Sequence, residues 1–454
     1  DMWHAGVYPL SILIALFSGA WPYIKLLLML LCWWAPVCVL PVKRRERLLM
    51  VLDALGKWSL IDAYVLVLML VAFRLTITEP GWIGSIDVWV EVNWGFYSFL
   101  FSTMLSLILT HVTLAIHRHV EEPPLPENHP EVTKKEALSQ HAFGFGRDRT
   151  TVLKCTLFGK SFVVGMLLVT SALVAVGAWV NSFAFEFQGL VGYALQFVGT
   201  DPKTEYSVIS LGDYVPETTL YEPNQGEIRW LQVTFYAFTL AIPLVHMLSL
   251  IFLWLWPLGA KLQHRLFVLM EVLNAWSALE VFVVSIIAAL LEIQQFAQFI
   301  IGDKCDGIDA FLQKYFSSSL GNDVNCFDVV ATLSDGSWIL LVAVVFYVIV
   351  GNTVMRLCHK ALEERQKRII RSQLKELDEP GVVVDTNAAL SVKSIHRPSF
   401  FKRFSKNAQS RCNAFWRSLF GWIGGTCLAA LHCVRVRVIE DYAALDDQSI
   451  QWEE

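Results

Sequence analysis

Seven runs of apolar residues, each long enough to cross the roughly 30 Å hydrocarbon core of a bilayer as a helix, dominate the chain. They fall at about 7–40, 59–77, 95–117, 157–180, 231–257, 276–300 and 336–358. The polar stretches between them hold most of the charge, so the pattern predicts an all-α integral membrane protein. The first run exceeds a perpendicular crossing and is expected to tilt, to kink at Pro22 or to project from the membrane. Composition points the same way: 55% of the 454 residues are apolar and 17% are charged, against about 25% charged in soluble domains.

The polar stretches differ in sign, which predicts an orientation. Lys43, Arg44, Arg45, Arg47 and Lys57 lie between the first two runs, and Arg356, Lys360, Arg365, Lys367 and Arg368 follow the seventh. Basic residues of short loops stay in the cytoplasm. The segment Thr76–Asn93 has no basic residue, and Asn181–Glu227 has Lys203 against seven acids, so both are expected outside. Seven crossings then put Asp1 on the outer or lumenal side and the C-terminus in the cytoplasm. A chain that starts at Asp is expected to be processed or a fragment, and no signal peptide pattern is visible in it. The net charge of -5 gives no reason to expect nucleic acid as a partner.

The apolar runs also repeat. RLLMVLDALGKWSLIDAYVLVLMLVAFRL from Arg47 aligns without a gap on RLFVLMEVLNAWSALEVFVVSIIAALLEI from Arg265, setting Asp53 on Glu271, Trp58 on Trp276, Ser59 on Ser277 and Asp62 on Glu280. WPYIKLLLMLLCWWAP returns as IPLVHMLSLIFLWLWP, with Pro22 on Pro243, Lys25 on His246 and Pro36 on Pro257. The span from Gly95 matches that from Gly336 more loosely. The chain therefore reads as two parallel-topology repeats of four-helix type, the first lacking its first helix, about an axis along the membrane normal. The expected layout is a first helical unit at 1–119, a cytoplasmic linker at 120–150, a second unit at 151–360 and a cytoplasmic tail at 361–454. The tail is expected to carry an interfacial helix near 413–433.

These blocks resemble the paraquat-inducible protein A (PqiA, LetA-like) family of polytopic membrane proteins. The likeness rests on a proline followed closely by a basic residue and a leucine-rich run (Pro22, Lys25), a basic turn, and a W-S-x-x-[DE] start to the next helix (Trp58, Ser59, Asp62; Trp276, Ser277, Glu280). It implies two four-helix units, partners with MCE domains that conduct lipid between membranes, and membrane lipids as cargo. Bacterial members typically place a cysteine-rich zinc ribbon before each unit, whereas the linker EEPPLPENHPEVTKKEALSQHAFGFGRDR has no cysteine.

Single residues refine the reading. A lysine in a spanning helix costs roughly 2.5 to 3.5 kcal/mol on insertion scales, so Lys25 is expected either to face a polar surface or to snorkel to the interface. Ser98, Ser102, Ser106, Thr110 and Thr113 of the third span offer such a surface, a polar seam where Lys25 would meet a lipid phosphate or carry a proton. His246 is either a titrating group or a hydrogen-bonded structural one. Arg74 and Glu292, at equivalent places, are expected to pair across the repeats or to snorkel. Asp62 and Glu280 read as capping-box or first-turn acids. The paired prolines and W-S residues are structural. Cys305 and Cys326 bracket an outward loop and are disulfide candidates. No CxxC pair, nucleotide-binding glycine loop, paired-carboxylate constellation or HExxH motif is present, so neither metal, cofactor nor enzymatic activity is expected. Three functions fit: a lipid-handling subunit of intermembrane transport or lipid homeostasis, a non-transporting scaffold or auxiliary subunit, and an ion- or proton-coupled transporter.

Overall fold

The computed structural model describes residues 8–35, 40–77, 86–88, 92–121, 130–140, 143–144, 152–153, 157–218, 226–295, 297 and 328–378. Cys305 and Cys326, the middle of the linker and the tail stretch near 413–433 lie outside the described residues. The chain divides into two compact units, Asp1–Leu31 with Glu46–Val383 and Cys32–Arg45 with Val384–Glu454. In the second, the described residues are the end of the first span and a turn in which the N–H groups of Arg44 and Arg45 donate to the Pro41 carbonyl, each at 2.9 Å.

Among the described residues, seven helices are long and apolar enough to cross a membrane: Tyr8–Trp34, Arg44–Ala72, Trp94–Arg118, Phe158–Trp179, Gly226–Leu255, Ala260–Gln295 and Ser337–Ile370. Their number and order match the apolar runs. The second span is the centre of the molecule, with all but two residues of Ile61–Ala72 buried, while the first is peripheral and turns only a narrow stripe inward. Spans four, five and seven and the helix Ala260–Trp276 pack on one another. Spans four and seven meet closely at Gly177, where a Cβ would lie 3.1 Å from the Leu340 Cα, the small-residue contact that helices use in lipid.

Two sequence features take an unexpected local form. Proline lacks an N–H, and its ring clashes with the carbonyl four residues earlier, which is Ser18 for Pro22 and Thr239 for Pro243. In both spans the turn before the proline widens into a π segment, Ala15–Ala20 and Ala237–Ala241. The kink expected at Pro22 is thus a π segment ahead of it. The W-S motif, in turn, interrupts its helix. Trp58 and Ser59 lie in the 3-10 turn Lys57–Leu60, and Ser277 is extended (φ -66, ψ 117) between Ala260–Trp276 and a helix over 279–295. The basic segment before it is therefore helical, Val42–Gly56.

The all-α expectation needs one correction. An antiparallel sheet of three strands, Lys203–Tyr206, Phe183–Gln188 and Asp328–Leu333 in that spatial order, joins the loops after spans four and six. Its central strand reads FAFEFQ, with an aromatic ring at every second position, and its first three residues are buried. Phe183 and Phe185 pack there with Tyr206. Helix Gly189–Val198 follows and ends at Gly199 in the left-handed conformation (φ +82), which glycine adopts without steric cost. Ser207 and Ser210 close a capping box on the next helix, Val208–Tyr214. Short strand pairs also join Leu75–Ile77 to Ile86–Val88 and Phe143–Gly144 to Val152–Leu153.

At the opposite end, the buried Arg365 donates to the carbonyls of Leu258 (3.0 Å) and Lys134 (2.6 Å), and Gln263 donates to that of Glu136 (2.6 Å). These bonds hold residues 130–140 of the linker against the second half.

Candidate functional site within the membrane

Lys25 is buried, and its ammonium donates to the Ser106 carbonyl at 3.2 Å. Ser106 lies twelve residues into the third span, about 18 Å along it at 1.5 Å per residue, near its midpoint. Gly56 leaves the space: a Cβ there would come within 2.6 Å of the lysine Nζ. The same carbonyl accepts from the Thr110 hydroxyl at 2.8 Å, and Thr110 also reaches the Met29 sulfur at 3.5 Å. The seam stops there. Ser98 and Ser102 are exposed, because positions four apart drift by roughly 40° per step around a helix with 3.6 residues per turn. The Thr113 hydroxyl bonds within its own helix, to the Leu109 carbonyl.

His246, which the sequence alignment sets on Lys25, lies in the fifth span. It is fully buried, with Nδ1 3.1 Å from the Tyr347 hydroxyl, and its Nε2 has no hydrogen-bond partner among the described residues. Pro22 and Pro243 precede these two polar residues by three positions, and Phe17 stacks on Trp58 as Phe238 packs on Trp276.

Among the described residues a cluster of charged groups lies where the halves meet, and sequence reasoning did not find it. Lys57 forms an ion pair with Glu280 and donates to the Asn274 carbonyl at 3.3 Å. Arg118 holds Glu271 through both guanidinium Nη atoms and Glu46 through Nε at 3.3 Å. The His111 ring stands between Asp53, 3.2 Å from Nδ1, and Trp276, whose indole N–H donates to Nε2 at 2.8 Å. Asp53 is within electrostatic reach of Lys25, Glu271, Arg118 and Lys57. Two spacings carried the signal: Asp53 and Lys57 at i, i+4, and His111 and Arg118 at i, i+7, each one face of a helix. Five buried atoms in and around this centre, Asp53 Oδ1, Tyr64 OH, His246 Nε2, Ser277 Oγ and Glu280 Oε2, have no hydrogen-bond partner among the described residues.

Other expectations are narrowed here. No ion pair or hydrogen bond between Arg74 and Glu292 is found among the described residues; Glu292 is buried, and Arg74 Nη1 is buried without a hydrogen bond among those residues. Equivalence in sequence does not make two side chains face each other, and the fold joins the non-equivalent Lys57 and Glu280 instead. Of the two roles expected of Asp62 the first-turn acid is the one observed, since Leu60 is the N-cap residue and Ser59 lies inside the 3-10 turn. Asp62 also accepts from the Ser18 hydroxyl at 3.2 Å.

A lateral crevice of about 240 Å³ opens between the fifth span and the helix Ala260–Trp276, lined by Val245, Leu248, Ser249, Phe252, Leu266, Leu269 and Met270. Ser249 is its only polar lining residue.

A helical chain with seven apolar spans and charged residues buried between them is a polytopic membrane protein. Two stretches of it, residues 1–117 and 225–305, match the model of the paraquat-inducible protein A family. The matched segments contain Lys25, Asp53, Lys57, His111, His246, Glu271, Trp276 and Glu280. No curated protein and no solved structure matches the chain.

Proposed function

We propose that this protein is a membrane-embedded lipid-handling subunit, acting in intermembrane lipid transport or membrane lipid homeostasis and not as an enzyme. The observation that carries the reading is the lateral crevice. It lies on two of the candidate spans, its lining is apolar but for Ser249, and Val245, Leu248, Phe252 and Leu269 along it are exposed. An apolar groove that is open at the side suits part of an acyl chain. Its wall at Val245 adjoins the buried His246. Two parallel repeats frame this arrangement: the π segments before Pro22 and Pro243, the Phe17–Trp58 and Phe238–Trp276 contacts, and the Lys25–Ser106 and His246–Tyr347 contacts support the duplication. In the orientation that the basic residues favour, the sheet lies outside and the linker in the cytoplasm. A lipid-transfer protein of the MCE type is the partner that the family match suggests.

A second reading, a scaffold for another membrane protein, draws on helix Gly189–Val198, which exposes Leu190, Tyr193 and Phe197 on one side. Mass spectrometry of lipids and proteins retained with the full chain in native membrane patches separates the two. The lipid reading expects one enriched lipid class that is lost in Leu248→Trp, which fills the crevice. Bulk-like lipids together with a stoichiometric protein partner overturn it in favour of the scaffold.

A further inference from the structure

The contact through His111 differs from the others between the halves, because a single proton can undo it. An indole N–H donates and never accepts. With Trp276 donating to Nε2 at 2.8 Å, that nitrogen carries no proton, and the neutral ring keeps its proton on Nδ1, 3.2 Å from Asp53. A proton placed on Nε2 would set two N–H groups against each other and break the bond to Trp276. A proton placed on Asp53 would remove the charge that faces Nδ1–H and free the ring to move.

The surroundings suit a group that exchanges protons. Asp53 Oδ1 is buried and makes no hydrogen bond of good geometry among the described residues. Lys25 faces the pair from the first span, Lys57 from the turn after Gly56, Arg118 from the third span and Glu271 from the helix Ala260–Trp276. Glu280 lies one step further, against Lys57. Side-chain exposure is 31% at Glu46, 13% at His111, 11% at Arg118 and 7% at Asp53.

We infer that Asp53 and His111 form a proton-binding site inside the membrane, and that its occupancy sets the Trp276 contact by which the first half grips the second. The ligand is a proton taken up from water. One O–H or N–H bond forms, the site gains one positive charge, and release returns the proton to water. The inference stands apart from the lipid reading, since it rests on the geometry of Asp53, His111 and Trp276.

The test is pH-difference infrared spectroscopy of the full chain in nanodiscs, following the carboxylic-acid C=O stretch as the pH falls from about 8 to about 5, where histidine switches operate. The expected result is a carboxylic-acid band that grows in the wild type, is lost in Asp53→Asn and shifts its midpoint in Trp276→Phe. A wild type without such a band, or a band unchanged in Asp53→Asn, overturns the site. Should Asp53→Asn fail to fold, a midpoint unmoved in both His111→Gln and Trp276→Phe overturns it. No lipid transfer enters the readout, so failure of the lipid reading and failure of this one are distinct results.

Discussion

Lys25 is a residue whose presence runs against stability. Its ammonium lies near the middle of a span, where insertion alone costs roughly 2.5 to 3.5 kcal/mol, and the only hydrogen bond described for it goes to a backbone carbonyl. Lys25→Met keeps the length and the contacts of the stem while removing the charge. The variant is expected to unfold at the wild-type temperature or above and to lose lipid transfer between vesicles. Transfer at the wild-type rate would remove Lys25 from the mechanism. Tyr206 presents an opposite case, outside the membrane. Burial among Phe183, Phe185 and Tyr214, with the Tyr214 charge adding to it, pushes its phenol from the usual 10 to about 12. The folded sheet thus prefers the neutral phenol, and its contribution is complete below pH 10 and is lost as the pH rises toward about 12. Tyr206→Phe should flatten the alkaline fall in stability measured by tryptophan fluorescence, and an unchanged alkaline limb would contradict this account.

The elements were legible to different degrees, for physical reasons. Spans were read easily because twenty apolar residues have few other fates. Interruptions within spans were not, since a π segment or an extended serine changes backbone bonding without changing hydrophobicity. The proline positions pointed to them only indirectly. Removing the cause should remove the effect: Pro243→Ala restores an N–H and relieves the clash with the Thr239 carbonyl. Amides of Ala237–Ala241 should then exchange more slowly with deuterium than in the wild type, and equal rates would mean that something other than proline widens the turn. The sheet was readable from the FAFEFQ alternation but was hidden by the assumption that membrane loops are irregular. In the candidate site, Lys25 and His246 stood out because each is a lone polar residue in an apolar run. Asp53, Lys57, His111 and Arg118 did not, because they sit among the basic and polar residues near span ends, where charge usually means solvent.

At the scale of the molecule, the halves are joined by polar as well as apolar contacts. Lys57 with Glu280, His111 with Trp276 and Arg118 with Glu271 all cross the junction. In lipid the surrounding solvent is as apolar as a leucine core, so association relies on close packing and on polar bonds. A junction held by a few largely buried ion pairs, with side chains 9 to 17% exposed, is directional and, unlike a broad apolar surface, can be released by altering charge. The Lys57–Glu280 pair tests whether it behaves so. Breaking a buried pair from one side leaves an uncompensated charge and typically costs about 3 to 5 kcal/mol, whereas replacing both partners by apolar residues is often neutral or stabilising. Lys57→Met and Glu280→Met should each therefore lower stability by about that amount, and the double variant should recover most of the loss. If the two losses simply add, the pair carries no coupling and contributes nothing directional to the junction. If the double variant recovers stability yet no longer transfers lipid, the charge at the junction serves movement of the halves more than their attachment.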